Sequence, residues 1–214
     1  MKHRLLISLL AATSLQQAFG ATIYDNGTFN SLGGNAMGDF IEADNFVIGS
    51  LVNVTGFTFW TLEAASAYLG SVTWSINANT ANQPGAALLS GSATPTRTSV
   101  GTALGLTVFQ NDVTIAGSLA AGTYWLTLHD GALASVAFQD FYWAWTNLNG
   151  TNTGTLRGKE RSLDPPSATW DDTGNEHAFL ISGTTGAATP EPASMAMIAG
   201  GLGFLAIARK RFGL

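Results

Sequence analysis

The chain has 214 residues, of which 11% are Asp, Glu, Lys or Arg, and its formal net charge is −5. So few charges, against about 25% in ordinary soluble domains, together with 25 glycines, argue against a helical bundle, whose surface carries Glu and Lys, and for short strands joined by turns. The absence of cysteine excludes disulfides, thiolate metal sites and cysteine nucleophiles, and 13 acids against four cations between residues 21 and 188 leave no basic surface for nucleic acid.

Residues 1–20 read as a secretory signal peptide. Lys2 and Arg4 form a positive start, Leu5 to Leu15 is an apolar run, and Ala18-Phe19-Gly20 places small side chains where a signal peptidase reads. The run is well short of the ~20 residues that a membrane span needs. Cleavage by signal peptidase is expected after Gly20.

From Ala21 to Ser182 the apolar residues alternate in several places, the period of strands with one dry face. In "VNVTGFTFW" Val52 and Val54 share a side, and Gly56 shifts the phase before Phe57 and Phe59, which predicts a bulge. Ala64 to Tyr68 fits a brief helical turn. "SVTWSINAN" sends Val72, Trp74, Ile76 and Ala78 one way and Ser71, Thr73, Ser75, Asn77 and Asn79 the other. A turn is expected at Gln83-Pro84-Gly85, then a strand that groups Leu104, Leu106 and Val108. In "AAGTYWLTLHDG" Tyr124, Leu126 and Leu128 oppose Trp125, Thr127 and His129, with a turn at Asp130-Gly131. "SVAFQDFYWAWTN" follows, and "EHAFLISG" closes the domain. The whole predicts an all-β domain over residues 21–182, a two-layer antiparallel β-sandwich of jelly-roll-like type.

Chemistry is sparse. After residue 20 the only histidines are His129 and His177, and no G-x-S-x-G elbow is present. Both histidines are expected to be structural, His129 at the surface of a strand end and His177 at a strand start beside an acid. No cofactor or zinc site is expected. Calcium candidates cluster in "WDDTGNE": Asp171, Asp172, Asn175 and Glu176. A glycosidase pair, which needs two carboxylates across a cleft, would come from Asp130, Asp140, Asp171 and Glu176. The crowded "FQDFYWAWTN" sends Phe141, Trp143 and Trp145 to one face and Phe138, Asp140, Tyr142 and Ala144 to the other. Either the strand is covered on both sides, or one aromatic set is exposed and Asp140, Phe141, Trp143 and Trp145 are candidates for stacking sugar rings.

Residues 183–189 read as a flexible linker. Pro190-Glu191-Pro192 then leads into sixteen uncharged residues, Ala193 to Ala208, which end in Arg209-Lys210-Arg211. As a helix, 193–208 covers about 24 Å, marginal for a ~30 Å hydrocarbon core, and the basic cluster would stay on the cytoplasmic side. Triplet, span and basic end over 190–214 resemble the PEP-CTERM sorting signal of Gram-negative bacteria. "WSINANTANQPGAALLSGSAT" and "LAAGTYWLTLHDG" also look like strand pairs of exported bacterial sandwich domains that carry such tails. The resemblance implies processing by exosortase near the triplet and an association with extracellular polysaccharide and biofilm matrix. The expectation is a non-catalytic exported protein, first an inner-membrane-anchored precursor, then a cell-surface or matrix component. Its partners are signal peptidase, exosortase, the membrane and polysaccharide. The alternatives are a carbohydrate-binding module using exposed aromatics, and a polysaccharide-active hydrolase.

Overall fold

Alternating apolar side chains force extended segments to share their dry faces, and in the computed structural model, which describes residues 20–147 and 157–185, they do so as two antiparallel sheets. The strands are β1 (Ala21–Asp25), β2 (Gly34–Ala36), β3 (Phe40–Ile48), β4 (Val52–Glu63), β5 (Val72–Thr80), β6 (Gln83–Ala93), β7 (Thr96–Ala103), β8 (Leu106–Leu119), β9 (Gly122–Asp130), β10 (Phe141–Thr146), β11 (Lys159–Ser162), β12 (Asp171–Asp172), β13 (Glu176–His177) and β14 (Phe179–Thr185). Six strands form one sheet in the order β12-β11-β3-β9-β5-β6. The other sheet is built around β4, which pairs along one side with β8 and on the other first with β14 and then with β10. β7 lies outside β8, β1 outside β14, and β10 also holds β2 and β13.

The two sheets share one core. Phe46, Trp74, Ile76, Leu126 and Leu128 come from the six-stranded sheet, and Phe57, Phe59, Val113, Phe141, Trp143, Phe179 and Ile181 from the other. Fully burying each such side chain contributes about 1.5–3 kcal/mol. The phase change predicted at Gly56 is present: the β4–β8 register shifts between Val54 and Gly56, so Val54, Phe57 and Phe59 all reach the core. Beyond the bulge β4 is covered on both sides. Trp60 and Leu62 pack on its other face with Val108, Ala103, Ala144 and Ala178.

Local expectations fail where a turn lacks its usual residues. The β5–β6 hairpin turns on Ala81-Asn82, with φ of 52° and 62°, and Gln83-Pro84-Gly85 lies within β6. The β7–β8 hairpin turns on Leu104-Gly105, with φ of 56° and 80°. Leu104 is therefore a turn residue, 65% exposed, and not a member of the face that carries Val108. Two central residues with positive φ are the type I′ geometry that matches strand twist. Ala64 to Tyr68 is a turn, and no helix occurs among the described residues. β10 begins only at Phe141, which leaves Phe138 in the preceding loop. β14 runs on to Thr185, pairing Gly183, Thr184 and Thr185 with Val54, Asn53 and Val52, so the ordered domain takes in the first three residues expected to be linker.

Among the described residues no helix is long and apolar enough to cross a membrane. The signal-peptide residues before Gly20, the linker after Thr185, the sorting triplet, the helix expected over 193–208 and Arg209, Lys210 and Arg211 lie outside the described residues.

Candidate functional site

Of the two readings of β10, the structure has the strand covered on both sides and no exposed aromatic platform. Phe141 and Trp143 are fully buried. Trp143 meets Phe59 and Phe179 edge-on, stacks on His177 at 4.5 Å between ring centroids, and donates its Nε1–H to Ala178 O at 3.0 Å. Trp145 is half-buried, and its indole N–H is taken by Asn35 Oδ1. Asp140 is exposed and accepts the Tyr142 hydroxyl at 2.8 Å. The strand is covered on both sides, so these four residues form no open sugar face.

The calcium candidates also part company. Asp172 pairs with Lys159 at 3.1 Å and accepts the Gly174 N–H. Asp171 is exposed, Asn175 bonds back to Thr173 O, and Glu176 is buried beside Asn26. No group of three metal-ligating His, Asp or Glu side chains forms among the described residues. The four acids considered for a glycosidase pair are likewise dispersed: Asp130 and Glu176 are buried, while Asp140 and Asp171 are exposed.

The sequence reading missed a polar pocket inside the core. Glu42 and Asp44 alternate along β3 with Phe46 and Ile48, and all four are buried. His177, also fully buried, reaches Asp44 Oδ2 with Nδ1 at 3.2 Å and faces Glu42 Oε2 with Nε2 at 3.7 Å. Asp44 accepts backbone N–H groups from Asn45 at 2.7 Å and from His177 at 2.5 Å. Neither Glu42 oxygen has a hydrogen-bond partner. Burial disfavours every charge here. It raises Glu42 well above the usual carboxyl range, with Glu160, Asp39 and Asp44 adding repulsion. It pushes Asp44 up to about 8 and His177 down to about 3. The pocket is thus held mostly neutral and closed to solvent. His129 is buried too, not superficial: its ring nitrogens each lie 3.1 Å from a carbonyl, Phe40 O and Ala132 O.

An open groove of about 500 Å³ lies on the outer side of the six-stranded sheet, within the range of small-ligand pockets. Register builds its floor. Thr127 stands opposite Ser75 and Ser75 opposite Ser90. On one flank His129 faces Thr73, which faces Ser92; on the other Asn77 faces Ala87. The Ser75 hydroxyl lies 2.5 Å from that of Thr127 and 2.6 Å from Asn77 Oδ1, and Asn77 Nδ2 donates to Gly85 O at 2.8 Å. Ser90 and Ser92 are exposed, with hydroxyls that have no protein partner among the described residues. Leu133, Trp170 and Arg161 complete the lining, with the Arg161 guanidinium 5.0 Å from the centre of the Trp170 ring. No carboxylate lines the groove.

The end of the chain carries a signature of its own. A family model described as the PEP-CTERM protein-sorting motif matches residues 188–211, which contain the Pro190-Glu191-Pro192 triplet and the basic cluster. No curated protein matches the chain. The last described strand of this all-β domain, which ends at Thr185, is therefore followed within three residues by a PEP-CTERM sorting motif, the mark of an exported, exosortase-targeted protein.

Proposed function

We propose that this is a non-catalytic protein of the cell envelope or extracellular matrix. It is exported by its N-terminal signal, held at the inner membrane as a precursor by residues 193–208, and freed by exosortase to contact extracellular polysaccharide. The observation that carries the reading is the sorting motif at 188–211, directly after the last strand. A hydrolase is the weaker reading, because none of the acids considered for it lines the groove and two of them are buried. Mass spectrometry of the mature protein from the producing cells tests the proposal. The expected result is a C-terminus near Pro190 in wild-type cells and a full-length tail in cells that lack exosortase. An intact 193–214 segment on the mature wild-type protein overturns it.

A further inference from the structure

We propose that the outer groove of the six-stranded sheet binds a short stretch of saccharide chain bearing a single carboxylate substituent, which Arg161 receives. This rests on the reading of the protein as one that meets extracellular polysaccharide, and it names the site and the ligand chemistry. The floor is hydroxyl and amide: Thr73, Ser75, Asn77, Thr127, Ser90 and Ser92 come together from three strands. Hydroxyl groups accept and donate at once, so such a floor can hydrogen-bond a polyhydroxylated ligand, while Ala87, Leu133 and Trp170 give the apolar faces of its rings a surface to rest on. Ser90 and Ser92 stand ready, since their hydroxyls have no protein partner among the described residues.

Charge selects the substituent. Of the four cations among the described residues, Arg97 pairs with Glu63, Lys159 with Asp172, and Arg157 donates to Gly174 O. The Arg161 side chain makes no hydrogen bond or ion pair among the described residues and lies over the Trp170 ring. A guanidinium within about 6 Å of an indole centre is held by the ring's electrostatic face and keeps its planar fork of donors for a carboxylate. The groove contains no acid to compete for it. The rest of the domain sets an upper limit on ligand charge. Thirteen acids against four cations between residues 21 and 188 repel a dense polyanion, so the fitting ligand carries isolated acidic residues within a neutral chain.

The test is calorimetric titration of the full-length chain in mild detergent with saccharide pairs that differ in a carboxylate. One pair is aldotetraouronic acid against xylotriose, which lacks its glucuronic acid unit, and the other is cellobiouronic acid against cellobiose. The expected result is that at least one acidic member binds about tenfold more tightly than its neutral partner. That preference falls to about unity in Arg161→Gln and Trp170→Ala, and Ser90→Trp, a change at an exposed position that fills the groove, removes binding altogether. Circular dichroism confirms that each variant is folded. The proposal is overturned if the folded wild type binds no member of either pair, or if the acidic preference survives Arg161→Gln. Neither result bears on the tail, and an unprocessed tail in the mass spectrum leaves these titrations standing, so the two readings fail separately.

Discussion

Glu42 and Asp44 occupy the positions on β3 that alternation assigns to the core, and they enter it with His177 and without a cation. Their protons must therefore track folding. The folded chain keeps protons on Glu42 and Asp44 that the unfolded chain sheds near pH 4, so their share of stability is present at low pH and lost as pH rises, towards 8 for Asp44. Asp130, pushed by burial up to about 6, acts the same way over a narrower window. His177 opposes them: neutral in the fold, it accepts a proton when unfolded, so its share is lost as pH falls from about 6.5 towards 3. Above pH 6.5 only the acids still act. Differential scanning calorimetry is expected to show a lower Tm at pH 8 than at pH 6.5. Glu42→Gln removes one buried titration at nearly constant volume and is expected to shrink that drop, with about 2–4 °C in Tm for each kcal/mol recovered.

At the level of strands and turns, alternation was a reliable guide where each face met one environment. Val72, Trp74 and Ile76 point to the core and Thr73 and Ser75 away from it, as do Leu126 and Leu128 against Thr127. On β10 alternation sorted the faces but could not choose between a strand covered on both sides and one with an exposed aromatic set: Trp143 faces the main core while Ala144 is buried in the satellite core, a second cover that depends on strands far away in sequence. The groove was half legible. The polar faces of β5 and β9 were readable from each segment, but their alignment with Ser90 and Arg161 depends on registers between strands far apart in sequence. The β7–β8 turn was illegible because Leu replaces the Asn, Asp or Gly that such a turn prefers. Left-handed φ costs a non-glycine residue roughly 1–2 kcal/mol, and Leu104 gains little from packing in return. Leu104→Asn is accordingly expected to stabilise the domain by about 0.5–1 kcal/mol, read as a higher urea midpoint at unchanged m.

Across the molecule, the first and last described strands are neighbours: Ala21 faces Gly183 and Asp25 faces Leu180, and β14 ties β1 to the central β4. Phe179 and Ile181 on β14 also belong to the main core. A chain that stops at Ala178 is expected to lose its cooperative thermal transition by near-UV circular dichroism, whereas one that stops at Thr185 keeps it. The same adjacency orders events in time. A polypeptide threaded outward from its N-terminus must hold residues 21–25 without their partner until 179–185 have crossed, so the barrier of closing so long a loop is met only when the sorting motif has reached the translocation machinery. A protease that cuts behind Thr185 releases a finished domain; a cut ahead of Phe179 would release one that cannot close.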